Sequence, residues 1–343
     1  MKFVKQKAEI IEKSENKINN IANIARVCYK SENRADDENN KRLVENLIKN
    51  KHFAMLEHED LIVAFKYGFV FEQFIDDIVD IEKRFGVHLY FYKTSNDANN
   101  IISGNLRAWR DMWKYTFLTP NEDKMQGDKI FIPLRDYFLD NIFFDDIFSK
   151  YSKEYIFFKN DNNMGIKQIS KDDLSNKNDI MAHYRISAKI ICDRGISHEL
   201  VRHRSFSFAQ ESTRYVNYGK KEIEFIDYSD FKNELNFDNT LWHIEESAIE
   251  AEERYKHLIS MGETPQISRN VLPHSLKTEI VMTGNVRAWL HSFNLRLFER
   301  TGKAHPMIKE LAEQLYNDFE NKTPISKKLI DSWAEEMWEN EQE

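Results

Sequence analysis

The chain has 343 residues, 41% hydrophobic and 31% charged, with 24 Phe and 14 Tyr but only 10 Gly and 6 Pro, which supplies a sizeable core and argues against long disordered linkers. A formal net charge of -8 argues against a dedicated duplex-DNA binder, whose affinity rests on neutralising phosphates, so any phosphate site must be a local cluster of Arg or Lys. Two cysteines, Cys28 and Cys192, are too few for a disulfide framework or a cysteine-based zinc site, and no metal is expected.

The opening stretch, MKFVKQKAEIIEKSENK, is charged and lacks the apolar run of a signal peptide. No segment approaches the roughly 18 apolar residues of a membrane span, so a cytoplasmic protein is expected. Apolar residues recur at helical spacing over 17–30 and 38–50. His52-Phe53-Ala54-Met55-Leu56-Glu57-His58 follows, then a strand-like run over 61–67. A helix is predicted over 70–84, an alternating strand over 88–94, a turn at Ser103-Gly104-Asn105 and a helix over 105–118. Residues 119–180 mix aromatic-rich pieces with Asn/Asp/Lys loops and read as a peripheral lobe or long loops. A strand over 183–192 then turns at Asp193-Arg194-Gly195 into a short helix. Beyond it come a strand near 221–226, a long helix near 239–261, a strand over 276–283, and helices over 285–298, 306–320 and 325–338. Strands and helices mix without regular β-α-β alternation, so an α+β fold is expected, a mixed sheet with packed helices. Neither GxGxxG nor a Walker A loop occurs, which leaves no Rossmann dinucleotide site and no P-loop.

The densest chemistry lies in Arg202-His203-Arg204-Ser205-Phe206-Ser207-Phe208-Ala209-Gln210-Glu211-Ser212-Thr213-Arg214-Tyr215. Arg presents a planar fork that grips phosphate or a pyrimidine edge with a geometry Lys cannot copy. By composition alone the stretch also reads as a solvated basic loop, or as a face for single-stranded nucleic acid, against which the net charge weighs.

The spacing, Arg-His-Arg, seven residues, Ser, then x-Arg-Tyr, resembles the signature of flavin-dependent thymidylate synthases. Upstream, His52-x-x-x-Leu56-Glu57-His58 before a strand is similar to that family's flavin-contacting turn. Downstream, Arg269-Asn270-Val271-Leu272-Pro273, Thr283-Gly284-Asn285-Val286-Arg287 and Asn294-Leu295-Arg296 follow in the family's order. The resemblance covers about 20–68 and 183–320, and implies a thymidylate synthase-complementing fold over 1–68 and 181–343 with a large insertion at 69–180.

The resemblance also implies site residues. Glu57, Arg202, His203, Arg204, Asn285, Arg287 and His291 would hold FAD, His291 standing where compact members often have Asn. Arg214 and Arg269, with Ser212 and Thr213, would grip the dUMP phosphate, while Glu199, Arg202, Gln210 and Glu211 line the nucleotide side. Arg296 would sit on the uracil ring and act as the catalytic residue. The implied reaction is reductive methylation of dUMP to dTMP, with methylenetetrahydrofolate and NADPH as co-substrates, no enzyme nucleophile, and a homotetrameric assembly. Hydroxymethylation of dUMP, or methylation of another pyrimidine nucleotide, is the alternative on the same scaffold.

One repeat stands apart. Ser103-Gly104-Asn105-Leu106-Arg107-Ala108-Trp109 echoes Thr283-Gly284-Asn285-Val286-Arg287-Ala288-Trp289. It reads either as a recurring strand–turn–helix whose Arg and Trp pack locally, or as a segment whose Asn105 and Arg107 reach an active-site edge.

Overall fold

The computed structural model describes residues 1–95, 100–118, 166–219, 221–234 and 239–342. Strands β1 (Lys2–Val4) and β2 (Lys7–Ile10) open the chain. Helices Lys17–Tyr29 and Asp37–Lys49 follow as their periodicity predicts. The second begins where Asp36 accepts a hydrogen bond from the Asn39 amide at 2.8 Å, filling one of the unpaired donors of a helix N-terminus. A 3-10 turn, Phe53–His58, leads into β3 (Asp60–Phe65) and the helix Gly68–Phe85.

The strand expected over 88–94 starts later, as β4 (Phe91–Ser95), because Gly86 caps the preceding helix at φ 62 and the chain needs the next residues to turn back. Ser103-Gly104-Asn105, expected as a turn, is instead the end of β5 (Asn100–Asn105), paired in register with Ile62, Leu61 and Asp60. The helix Leu106–Leu118 follows directly. The lobe expected over 119–180 lies outside the described residues up to 165. Its end is β6 (Ile166–Ile169) and the short helix Lys177–His183.

Next come β7 (Arg185–Asp193), the helix Arg194–Leu200, β8 (Ser207–Gln210), β9 (Glu224–Ile226) and the long helix Thr240–Ser260. Finally β10 (Lys277–Asn285) leads into the helices Val286–Arg296, Pro306–Lys322 and Lys327–Gln342. The fold is α+β, as expected. No helix among the described residues is long and apolar enough to cross a membrane.

The chain forms two compact units, one of Met1–Ser14, Asn23–Ala35 and Ile186–Glu343, the other of Glu15–Ala22 and Asp36–Arg185. We call them the first and second unit. Residues 36–68 thus fall with 69–185, since β3 pairs with β5 on one side and β6 on the other. The first unit holds a four-stranded sheet in the order β2-β7-β10-β8, plus the parallel pair β1-β9. Its core includes fully buried Trp289, Phe293 and Phe319. The second unit holds a sheet in the order β4-β5-β3-β6, packed by Phe74, Trp109, Leu61 and Val63.

Candidate functional site

In the first unit, Asp193 ends β7 and caps the helix Arg194–Leu200, one carboxylate oxygen accepting the Ile196 amide at 2.6 Å and the other the Tyr228 hydroxyl at 2.6 Å. That helix delivers the basic segment. The His203 amide donates to the Leu200 carbonyl at 3.1 Å and the Phe206 amide to the His203 carbonyl at 3.2 Å, so Arg202–Ser205 forms a tight turn before β8. Phe206 pins its far end: its ring meets Trp289 edge-on at 4.7 Å and lies 2.7 Å from where a side chain on Gly284 would begin. Only glycine fits there.

Gly284 and Asn285 close β10, and Asn285 accepts the Ala288 amide at 3.0 Å, capping the helix Val286–Arg296. Asn285 is 2% exposed and its carbonyl oxygen serves this cap. Trp289 donates from Nε1 to the Ile186 carbonyl at 3.2 Å and locks the helix onto β7. Arg287 is left exposed in the first turn, where unpaired amides and the helix dipole favour anions.

Arg202, His203, Arg204, His291 and Arg296 line one cavity of about 300 Å³. Arg296, last residue of its helix, donates from Nε to His203 Nε2 at 3.2 Å and pairs through Nη1 with Glu199 at 3.2 Å. Burial, followed by the charges of Arg296 and His291, pushes the His203 pKa down to about 4. His203 is therefore neutral at pH 7, with Nε2 as acceptor and the proton on Nδ1. The guanidinium groups of Arg202, Arg204 and Arg287 meet no carboxylate among the described residues. A cluster of cations with so little internal neutralisation is built for an anionic ligand.

A second group forms at the loop after β8. The Ser212 amide donates to the Cys28 carbonyl at 3.0 Å, and the Ser212 hydroxyl accepts the Arg214 amide at 3.3 Å. Arg269, remote in sequence, donates from Nη1 to the Thr213 hydroxyl at 3.3 Å, and Arg214 lies 5.3 Å over the Tyr215 ring. Both arginines are exposed.

Other expected residues face elsewhere. Gln210 donates to Ser197 at 2.9 Å and Thr278 at 3.2 Å. Glu211, 2% exposed, accepts the Tyr218 hydroxyl at 2.7 Å and sits 3.3 Å from Lys30 and 3.5 Å from Lys277. Its carboxylate holds the base of the loop. Glu57 belongs to the second unit, where it pairs with Arg107 at 2.6 Å. Asn105 caps the next helix through the Ala108 amide at 2.8 Å and Trp109 donates to the Leu61 carbonyl at 3.2 Å, so these two residues of the repeated motif pack locally, while Arg107 stays exposed.

Sequence reasoning missed a hollow of about 610 Å³ that shares Glu199 and Arg296 and is lined further by Tyr228, Phe231, Lys303 and His305. These residues are scattered over 199–305, and no local pattern joins them. Neither cysteine is a ready thiolate: burial pushes the Cys28 pKa up to about 11 and raises that of Cys192 still more.

Two of the buried histidines, His183 and His203, are expected to make the protein's stability fall in acid. His183, 0% exposed, lies 2.7 Å from the Ser103 hydroxyl and 2.9 Å from that of Thr94, and burial lowers its pKa to about 4, as for His203. Between the ordinary 6.5 and 4 the unfolded chain takes up protons that the fold refuses, so stability falls as pH drops through that window. Each histidine accounts for on the order of 3 kcal/mol once fully titrated. Urea unfolding at pH 7 and pH 4.5 checks this. His183→Gln should lose less stability across the interval than the parent, and an equal loss refutes the assignment.

The family model described as thymidylate synthase complementing protein matches residues 9–76 and 153–325. A flavin-dependent thymidylate synthase of Synechocystis sp. is 29% identical over 140 residues, covering 38% of this chain and 65% of the relative. One from Pyrococcus furiosus is 32% identical over 145 residues, covering 42% and 56%. One from Corynebacterium aurimucosum is 36% identical over 144 residues, covering 37% and 58%. The matched part thus spans less than two thirds of each relative's own length. A crystal structure of a UMP/dUMP methylase from Streptomyces cacaoi, bound with 5-Br UMP, aligns at TM-score 0.37 and 22% identity, over 44% of this chain and 74% of that one.

Proposed function

The chain belongs to the thymidylate synthase complementing protein family, whose model matches more than half of it, and we propose that it is a flavin-dependent thymidylate synthase that methylates dUMP. The observation that carries this reading is the cavity on which Arg202, Arg204, neutral His203 and Arg296 converge. The relatives' activity supports it, and so does the donor set. Arg202, Arg204 and Arg287 lack carboxylate partners among the described residues and suit a diphosphate, and a capped helix N-terminus adds further amide donors, as FAD requires. Bound flavin supplies the hydride and one-carbon chemistry that no side chain here can perform.

The chain's own residues bind, orient and polarise. Arg202, His203, Arg204, Asn285, Arg287 and His291 hold or frame the cofactor, and Glu57, which the family likeness would add, is paired with Arg107 in the second unit. Arg214 and Arg269, with Ser212 and Thr213, take the nucleotide phosphate. Glu199 holds Arg296 in place, and Arg296 stabilises negative charge on the pyrimidine, a task worth far more in a water-poor pocket than in bulk water. Gln210 and Glu211 act by fixing the loop that carries Ser212. Methylenetetrahydrofolate as carbon donor, NADPH as reductant, a homotetramer and a cytoplasmic location complete the proposal.

An absorbance spectrum of purified protein incubated with FAD, and a dTMP assay with all substrates, test it. Protein that stays colourless, or a flavoprotein that makes no dTMP, rejects it. Arg214→Ala and Arg269→Ala should each weaken dUMP binding roughly ten- to hundredfold, the cost of about 1.5–3 kcal/mol for a lost charge-assisted contact. Equilibrium binding of dUMP to each variant measures this, and unchanged affinity in both would remove them from the phosphate site.

A further inference from the structure

The two units share more than a motif. The first unit's sheet order, β2-β7-β10-β8, is matched in position by β6-β3-β5-β4 in the second, with β7, β8 and β10 in the same chain order as β3, β4 and β5, while the edge strand β2 precedes its three partners and β6 follows its own. The correspondence holds in register. Phe91 pairs with Gly104 and Tyr92 with Ser103, while Ser207 pairs with Thr283, which sets Phe206 opposite Gly284. The same clamp is built on each. A Cβ on Gly104 would sit 2.7 Å from the Phe91 ring, as one on Gly284 would from Phe206. Phe91 meets Trp109 edge-on at 4.8 Å and 84°, as Phe206 meets Trp289 at 4.7 Å and 80°. Trp109 bonds the Leu61 carbonyl at 3.2 Å, as Trp289 bonds that of Ile186. The burial pattern along Ile101–Arg110 is the same, residue for residue, as along Val281–Leu290, with only Arg107 and Arg287 exposed.

This alignment sets Val87-His88-Leu89 against Arg202-His203-Arg204. By count from Phe91 and Phe206, His88 falls at the central histidine, but it is exposed and lies 2.8 Å from Glu82, where His203 is buried; both flanking guanidiniums are gone, and Leu89 is buried in the core. Between β4 and β5 the sequence allows only residues 96–99, against 211–276 between β8 and β10, so this connection is too short to carry counterparts of Ser212, Arg214 and Arg269. Asp111 stands in the place of His291. The surviving Arg107 is neutralised by Glu57 at 2.6 Å and approached by Asp111 at 3.6 Å, whereas Arg287 has no such partner among the described residues.

We propose that the second unit is an internal copy of the arginine-bearing unit whose own anion site has been extinguished, so that the chain presents one flavin-nucleotide centre and not two. The ligand's identity rests on the function proposed above, but the copy itself does not. Titrating the full chain with FAD and reading bound flavin by absorbance should give one flavin per chain. His203→Ala should weaken flavin binding at least tenfold, and His88→Ala should leave it unchanged. Gly104→Ala and Gly284→Ala should lower Tm by similar amounts, because each forces a ring out of the same clamp, while only Gly284→Ala weakens flavin. Two flavins per chain, an equal loss of affinity in His88→Ala, or an unchanged Tm in Gly104→Ala overturns the proposal. If no flavin binds at all, the proposed function fails, and the paired Tm shifts of the two glycine variants alone decide whether the units are copies.

Discussion

Arg296→Ala should lose turnover by about 10²–10³-fold or more while the protein still binds flavin, the scale seen when one preorganised donor to a developing negative charge is removed. Arg296 sits at the wall shared by the two hollows, and its guanidinium is held from two sides, by Glu199 and by a histidine that burial keeps neutral. Because His203 carries no charge at pH 7, it orients the guanidinium without adding a third cation to the turn that holds Arg202 and Arg204. The chain also offers no thiolate to activate the pyrimidine by covalent addition, since burial raises both cysteine pKa values. A Cys28→Ser, Cys192→Ser double variant should therefore keep most of its turnover. The pair of assays separates the mechanisms: a cysteine-less protein that folds and binds both ligands but makes no dTMP overturns the electrostatic account. So does an Arg296→Ala variant with near-parental kcat.

Trp289→Ala should cost about 3–5 kcal/mol, a large share of the roughly 5–15 kcal/mol that holds an ordinary domain. Trp289 is 1% exposed and packs edge-on against Phe206 and, at 5.7 Å, against Phe319. Truncation empties that space and leaves the Ile186 carbonyl without its donor, which adds to the penalty. Phe206 would lose the surface that aligns the arginine turn, so flavin affinity should fall together with stability. Urea denaturation and a flavin titration measure the two effects. A stability loss below about 1 kcal/mol would show that the clamp does not hold this part of the fold.

The α+β class, the positions of the long helices and the residue types at the anion site can all be read from local sequence. Helices such as Asp37–Lys49 and Val286–Arg296 are legible because their apolar spacing and caps lie within a few residues of one another. The Arg-His-Arg turn is legible for the same reason. Strands of three or four residues, β1, β2, β6 and β8, are not, since so short an alternation acquires meaning only from a partner far along the chain. The same holds for which unit residues 36–68 join, decided by the pairing of β3 with β5 and β6. Tertiary structure also decided where charged side chains point. Glu211 looks in sequence like a ligand-facing acid but is buried against Tyr218, Lys30 and Lys277, and Glu57 is taken up by Arg107. A sequence fixes which charges exist; their neighbours, brought together by packing, fix whether each is spent inside the protein or left for a ligand.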